Sequence, residues 1–318
     1  MPGTDLPLEQ LQAYQGGDPC PEDFSPFWQG VAAELQAYRQ TAAWEPVEFR
    51  NPCARYYRVT ITAPDGCVLR AKYIRPDTEE AVPLVLQFHD YPAASRSWFH
   101  LTRYNALGYA VLAPDCRGQG GESGAGPIGK GPTAYGPMFN GLEDDITGMY
   151  LFQLFRDAFL WAKTAGQMPG IDQRQLYLYG EGQGGGLALA CSALYPAFRK
   201  CAAHYPMLCD YKRVWDKDFD VNAYEGLRYF FRWRDPLHAR EKEIFRKLAY
   251  MDVKNFAPMV RAKVLMSTGL QDTVSPPSAQ FAVYNGLHTE KRHLVYPKHG
   301  HELNNFFENE LLKFLMEA

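Results

Sequence analysis

The part of this sequence that most limits its possible folds is an apolar run that leads into a dense cluster of glycines. Leu176-Tyr177-Leu178-Tyr179 comes first, Gly180-Glu181-Gly182-Gln183-Gly184-Gly185-Gly186 follows, and a small apolar segment, Leu187-Ala188-Leu189-Ala190, comes last. This order predicts a strand, a sharp turn that relies on glycine, and a helix. The turn is the first candidate for a functional site.

Two different kinds of chemistry use a turn of this type. Gly180, Gly182 and Gly185 match the G-x-G-x-x-G pattern, in which bare backbone and a helix N-terminus receive the pyrophosphate of a dinucleotide. The pattern G-x-S-x-G instead forms a nucleophile elbow, and Gly182 occupies its central position here. The dinucleotide interpretation is the weaker alternative, because the acid expected about 20 residues further on is absent and the next carboxylate after the following strand is Asp210.

The rest of the chain alternates between short apolar runs and helical segments. Alternating patterns on both sides of Pro64-Asp65-Gly66 predict a β-hairpin, and a long helix is predicted from about Leu142 to Ala165. Further strands are predicted at Leu84 to Phe88, Ala110 to Ala113, Leu176 to Tyr179, Ala202 to Tyr205, Val264 to Ser267 and His293 to Tyr296. Because such runs are typical of strands buried on both faces, we predict an α/β fold with a mostly parallel central sheet and helices on both faces.

Length and composition limit the architecture and the possible partners. The chain has 318 residues, of which 46% are apolar, and its 33 Lys and Arg face 36 Asp and Glu, so it can bury a large core and carries no charge excess that attracts nucleic acid. We predict one domain over 1–318, with an N-terminal helical extension over 1–45 and a helical insertion over about 207–258. The chain has no secretory signal and no apolar run long enough for a membrane span, so we expect a cytoplasmic protein without a membrane partner.

The cysteines and histidines give no sign of a metal or cofactor site. The seven cysteines are odd in number and contain no C-x-x-C pair, so they are expected to be reduced. The sequence His299-Gly300-His301-Glu302 has no third ligand at helical or hairpin spacing. We therefore expect neither a metal nor a cofactor.

Two later residues stand where a hydrolase would need them. An α/β-hydrolase presents its nucleophile, acid and base in that order, each on a loop after a strand. Asp272 follows the fifth of the six predicted strands and His301 follows the sixth, so Asp272 would accept the Nδ1 proton of His301 and direct Nε2 toward Gly182. The oxyanion hole would combine the main-chain amide of Gln183 with one from His89-Asp90-Tyr91. The order predicts the α/β-hydrolase fold.

Several motifs together connect the sequence with a known family. They are Asp5-Leu6-Pro7-Leu8, Pro21-Glu22-Asp23-Phe24, Phe27-Trp28, Phe88-His89-Asp90-Tyr91, Asp115-Cys116-Arg117-Gly118-Gln119-Gly120-Gly121, Gly180 to Gly186, Gly269-Leu270-Gln271-Asp272, Pro276-Pro277 and Gly300-His301-Glu302. With these motifs the chain resembles, over nearly its whole length, the acetyl xylan esterase and cephalosporin-C deacetylase group, which is carbohydrate esterase family 7 of the α/β-hydrolases.

The resemblance implies an activity, a site and an assembly. It implies removal of O-acetyl groups from short xylo-oligosaccharides and from cephalosporin C. It assigns Asp272 and His301 to a catalytic triad and the amides of Tyr91 and Gln183 to the oxyanion hole, and it places Tyr205-Pro206 beside a small acyl pocket. It also implies a cytoplasmic hexamer whose active sites face an internal cavity.

The sequence departs from the family pattern at the centre of this chemistry. Gly182 stands where the family has the nucleophilic serine, and Asp90 stands where it usually has glycine. Without a serine Oγ no acyl-enzyme can form at 182, so esterase activity should be poor. Glu181 should point away from the site, and Ser192, on the following helix, is expected to be a packing residue.

Three explanations of Gly182 are open at this point. The glycine is a deliberate inactivation, or the chain is a natural non-catalytic homologue that binds acetylated sugars, or residual hydrolysis proceeds through water activated by His301. Because glycine accepts strained elbow angles at little cost, we expect an intact fold. We also expect Gly182→Ser to raise activity and lower the melting temperature.

Overall fold

The computed structural model describes residues 5–127, 129–131 and 134–317, which build a nine-stranded sheet in the order β1-β2-β3-β5-β4-β6-β7-β8-β9. The strands are β1 (Ala42–Pro46), β2 (Ala54–Thr62), β3 (Val68–Pro76), β4 (Val82–Phe88), β5 (Ala110–Pro114), β6 (Ile171–Glu181), β7 (Lys200–His204), β8 (Lys263–Gly269) and β9 (Lys291–Tyr296). The six strands β5, β4, β6, β7, β8 and β9 run parallel to one another. Strands β1, β2 and β3 form antiparallel pairs, and β3 also pairs antiparallel with β5. The predicted hairpin and the six predicted strands are confirmed.

Helices cover both faces of the sheet. They are α1 (Leu8–Ala13), α2 (Phe24–Ala37), α3 (Trp98–Leu101), α4 (Tyr150–Ala165), α5 (Gln183–Leu194), α6 (Tyr211–Asp216), α7 (Glu225–Trp233), α8 (Glu241–Leu248), α9 (Val253–Phe256), α10 (Pro277–Gly286) and α11 (Asn305–Met316). Side chains alternate along β4: Leu84 and Leu86 join the apolar cluster with α2, α4 and α5, whereas Val85 joins the cluster with α11. This two-sided burial explains the continuous apolar runs of the sequence.

The N-terminal segment and the segment between β7 and β8 carry several of the helices. Helices α1 and α2 lie in the predicted extension 1–45, whose last residues belong to the edge strand β1; residues 1–4 lie outside the described residues. Helices α6 to α9 lie within the predicted insertion 207–258. Among the described residues, no helix combines the length and the apolar composition that crossing a membrane would require.

Helix α4 begins later than the periodicity of its sequence predicts. It starts at Tyr150 instead of near Leu142, because the residues before it make contacts that a helix could not make. The Tyr150 amide donates to the Asn140 carbonyl at 3.0 Å, and Glu143 pairs with Arg234 at 2.5 Å and with Arg240 at 3.1 Å. The two arginines that pair with Glu143 come from a distant part of the chain, so local spacing did not reveal these contacts.

Candidate active site

The glycine-rich turn joins the carboxyl end of β6 to the N-terminus of α5. Gly182 has φ +52° and ψ −118°, a conformation that side chains disfavour. Its amide donates to the His204 carbonyl at 3.0 Å, and its carbonyl accepts from the Met207 amide at 2.8 Å. At Gly184 an added Cβ would lie 2.3 Å from the Phe88 carbonyl oxygen, so only glycine lets α5 approach β4 this closely.

Asp272 and His301 meet beside this turn. Asp272 follows β8, His301 follows β9, and His301 Nδ1 lies 2.8 Å from Asp272 Oδ2. The carboxylate of Asp272 is fully buried, and it also accepts from the amides of Val274 and Ser275 and from the side chain of Gln280. These contacts hold the carboxylate in one orientation, so it fixes both the position and the proton of the imidazole.

The two predicted oxyanion amides point at one oxygen atom, which belongs to Asp90. Asp90 Oδ1 accepts from the Tyr91 amide at 2.7 Å and from the Gln183 amide at 3.0 Å. The Gln183 amide is at the N-terminus of α5, where a negative charge is favoured. The carboxylate thus fills the position predicted for a substrate oxyanion. It also engages the Gln183 amide, which the alternative dinucleotide interpretation would need for a pyrophosphate.

The second oxygen of Asp90 faces the histidine. Asp90 Oδ2 lies 3.3 Å from His301 Nε2, in a charge contact that lacks the alignment of a hydrogen bond. Burial alone would lower the pKa of His301, but the hydrogen bond to Asp272 and the contact with Asp90 outweigh it and raise that pKa to about 9. At neutral pH the imidazolium therefore lies between two carboxylates.

Asp90 and the absent side chain at 182 compete for the same space. A Cβ added at Gly182 would lie 1.8 Å from Asp90 Oδ1 and 2.2 Å from its Cγ, far inside van der Waals contact. A serine at 182 would therefore require the Asp90 side chain to leave both amides. The expected effect of Gly182→Ser thus needs a correction: the serine alone cannot enter the site as it stands.

Buried polar contacts fix the loop that carries Asp90. His89 Nδ1 lies 2.8 Å from the Asp90 carbonyl, and His89 Nε2 accepts from the Cys116 amide at 2.9 Å. Together these bonds require the neutral imidazole with its proton on Nδ1. Burial lowers the pKa of His89, which keeps the ring neutral. Asp115 accepts from the Ser95 amide at 2.8 Å and ties a later part of the loop to the end of β5.

A cavity of about 430 Å³ opens beside the histidine. Its described lining consists of Tyr91, Pro92, Tyr135, Gly136, Met207, Asn222, Ala223, Val274 and His301. The Tyr205 ring lies 4.5 Å from the His301 ring, and the Pro206 carbonyl accepts from Ser275 Oγ at 2.8 Å. Tyr205 is therefore close to the histidine, but of residues 205–207 only Met207 lines the cavity.

Two residues near the turn take no direct part in this cluster. The Glu181 carboxylate accepts from Tyr179 at 2.8 Å and from Arg96 at 2.6 Å. Ser192 is buried in α5, two to three turns beyond the elbow. Within the parts of the chain that the structure describes, no group of three or more His, Cys, Asp or Glu side chains is placed to hold a metal ion.

Comparisons with known proteins give the family. The whole chain, residues 1–318, matches the family described as acetyl xylan esterase (AXE1). The chain belongs to this family. Acetyl xylan esterase 1 from Thermoanaerobacterium sp. JW/SL YS485 is similar in structure, with a TM-score of 0.94, 40% identity and 98% of each chain covered. The acetyl xylan esterase from Paenibacillus sp. R4 is also similar, with a TM-score of 0.92 and 29% identity, and the match covers 98% of this chain and 99% of that chain.

A curated acetyl esterase relative is longer than this chain. Acetyl esterase Axe7A from Xylanibacter ruminicola is 27% identical over 299 residues, which cover 88% of this chain and 63% of that protein. This chain thus spans less than two thirds of that relative's length. The fold that the acetyl xylan esterases share is the α/β-hydrolase fold predicted from the order of Gly182, Asp272 and His301.

Sequence reasoning missed the part that Asp90 takes in the site. The sequence departs from the family pattern at Asp90 and at Gly182, but the two departures were treated as independent. A signal was present, because the two positions lie on the two segments that supply the oxyanion amides of Tyr91 and Gln183. Only the three-dimensional structure brings Asp90 to the space above Gly182.

Proposed function

We propose that the protein is a carboxylic ester hydrolase of the acetyl xylan esterase type whose ligands are small O-acetylated carbohydrates and cephalosporin-type esters, and whose ester hydrolysis is strongly impaired. The observation that carries the proposal is the convergence of His301, Asp272 and the amides of Tyr91 and Gln183 on the turn at Gly182. In this reading Asp272 orients His301, and the two amides are the family's oxyanion hole.

Two features account for the impairment. Gly182 supplies no Oγ, so the acyl-enzyme of a serine esterase cannot form there. The oxyanion amides are also occupied by Asp90 Oδ1, so an ester carbonyl would have to displace a carboxylate before it could be polarised. Loss of a triad nucleophile leaves about 10³–10⁴-fold acceleration over water when the hole is free, and less is expected here.

The contact between Asp90 and Gly182 bears on the three explanations of the glycine. Deliberate replacement of the serine alone would leave the family's usual glycine at 90, whereas Asp90 needs the space that a Cβ at 182 would fill. We infer that the two substitutions arose together, which supports a natural homologue. Water activation by His301 is disfavoured, because a histidine with a pKa of about 9 is protonated at neutral pH.

Further parts of the proposal depend on the family resemblance alone. They are a hexameric assembly, a cytoplasmic location and an acyl pocket bordered by Tyr205 and Pro206. We also propose one domain over residues 1–318 that works without a cofactor.

Acetate release and ligand binding test the proposed function. Acetylated xylo-oligosaccharides should bind saturably in calorimetry, while acetate should appear at least about 10³-fold more slowly than the roughly 10 s⁻¹ of a typical enzyme. A wild-type rate near 10 s⁻¹ would contradict the impairment, and absence of binding would contradict the ligand class.

A further inference from the structure

The carboxylate of Asp90 is arranged for more than filling space. One oxygen, Oδ1, is held by the amides of Tyr91 and Gln183, while the other, Oδ2, is free of amide contacts and faces His301. The Asp90 side chain remains 23% exposed, and the His301 ring that faces Oδ2 lines the cavity beside the site. A carboxylate that is held by one oxygen, with the other free of amide contacts, is a positioned nucleophile.

The occupied oxyanion hole determines which electrophile such a nucleophile can use. An ester carbonyl would need the same two amides for its own oxygen, and Asp90 Oδ1 already holds them. A saturated carbon with a leaving group makes no such demand. We propose that Asp90 is a catalytic nucleophile toward saturated carbon, and that the ligand is a small neutral alkyl halide. This inference goes beyond the proposed esterase function and depends on the geometry of Asp90 alone.

In the first step, a lone pair of Asp90 Oδ2 attacks the carbon that bears the halogen. The new bond joins Oδ2 to carbon, the carbon–halogen bond breaks, and halide leaves with the electron pair. The product is an alkyl ester of Asp90, whose carbonyl oxygen is Oδ1 in the place it already occupies. No proton is transferred to the leaving group, so this step needs no acid.

In the second step, the oxyanion hole acts on the enzyme's own ester. Water attacks Cγ of Asp90, His301 Nε2 takes a proton from it, and the negative charge on Oδ1 is stabilised by the amides of Tyr91 and Gln183. Collapse breaks the bond from Cγ to the alkyl oxygen, and the alcohol leaves with a proton from His301. Overall, alkyl halide and water give alcohol, halide and one proton, and one oxygen of Asp90 now comes from water.

The second step needs a neutral His301, and alkylation of Asp90 favours this form. Before reaction, the carboxylates of Asp272 and Asp90 keep the imidazole charged. Alkylation removes the charge of Asp90, so one of the two causes of the raised pKa disappears. The pKa of His301 then falls, which favours loss of its proton to solvent. The neutral ring is able to accept a proton from water, with Nδ1 still 2.8 Å from Asp272 Oδ2.

The cavity beside His301 fits this class of ligand. Its volume of about 430 Å³ lies in the range of small-molecule sites, roughly 300–1,000 Å³. Apart from His301, its described lining residues carry no charged side chain, so a neutral apolar ligand is favoured over a carboxylate or a phosphate.

Isotope transfer and adduct mapping test the proposal. With enzyme in excess over 1-bromobutane, 1,2-dibromoethane or benzyl bromide in ¹⁸O-water, mass spectrometry of the peptide containing Asp90 should show a gain of one ¹⁸O, and the first alcohol formed should carry ¹⁶O. In His301→Gln the alkyl ester on Asp90 should accumulate at least about tenfold, because the water that cleaves it is no longer activated.

Asp90→Asn is the matched control, since it keeps the size of the side chain but removes the nucleophile. Exposed Cys20 and Cys53 should be alkylated equally in every variant and report equal exposure to the bromide. An unlabelled Asp90 with no adduct in His301→Gln for all three bromides would overturn the proposal, as would ¹⁸O in the first alcohol. Either outcome leaves the ester assays unaffected, so the two proposals fail separately.

Discussion

At the scale of single residues, the site is governed by a mutual exclusion between a side chain at 182 and the carboxylate of Asp90. The carboxylate takes the volume that a side chain at 182 would need, and its Oδ1 takes the place predicted for a substrate oxyanion. The aspartate at 90 therefore fits only because residue 182 is a glycine, although each of these residues alone is expected to impair a serine esterase. The same carboxylate gives His301 a second negative neighbour, with consequences for stability.

The raised pKa of His301 predicts a pH-dependent stability. The histidine has a pKa near 6.5 in the unfolded chain and about 9 in the folded protein, so its contribution is complete below about pH 6.5 and is lost as pH rises through about 9. Between about pH 6 and pH 10, the free energy of unfolding should fall by up to about 3 kcal/mol more in the wild type than in His301→Gln. Urea titrations over this range measure the difference, and parallel curves for the two proteins would refute it.

At the scale of secondary-structure elements, glycine permits the close packing of the elbow. Helix α5 approaches β4 at Gly184 so closely that any side chain would meet the backbone of Phe88. The strand, turn and helix were predictable, because the apolar run and the glycines are local in sequence. The start of α4 was not, since the ion pairs of Glu143 with Arg234 and Arg240 join segments far apart in the chain.

Two glycine substitutions should have opposite effects on stability. Gly184→Ala places a Cβ 2.3 Å from a backbone oxygen, and we expect it to lower the free energy of unfolding by at least about 2 kcal/mol. Gly30 lies on the exposed side of α2, and an added Cβ would have nothing within 4 Å. We therefore expect Gly30→Ala to raise the free energy of unfolding by about 0.5–1 kcal/mol. Urea unfolding measures both, and similar losses would contradict this reading of the elbow.

At the scale of the whole molecule, one buried cation ties distant segments together. Arg117, which is 1% exposed, pairs with Asp157 on α4 and, at 2.6 Å, with Asp65 in the turn between β2 and β3. The sequence showed Arg117 as part of a family motif but gave no reason for it. Asp272 and His301 were easier to predict, because parallel strands bring their carboxyl ends to one edge of the sheet.

Replacing Arg117 should lower the free energy of unfolding strongly, whereas replacing an exposed arginine should lower it only slightly. Arg117→Met leaves Asp157 buried without its partner, and we expect a loss of about 3–5 kcal/mol in the free energy of unfolding. Arg174→Met breaks an ion pair with Asp172 whose arginine is 86% exposed, and it should cost less than about 1 kcal/mol. Chemical denaturation of the two variants tests the contrast, which equal losses would contradict.

Steady-state kinetics of four proteins test most directly whether the carboxylate of Asp90 occupies the space of the family's serine at 182. They are the wild type, Asp90→Gly, Gly182→Ser and the double variant, compared by kcat/KM on 4-nitrophenyl acetate. The double variant frees the amides and restores an Oγ beside His301, so it should exceed the wild type by at least about 10³-fold, while each single variant changes by less than about tenfold. A double variant no more active than the wild type, or a Gly182→Ser variant as active as the double, would contradict the account.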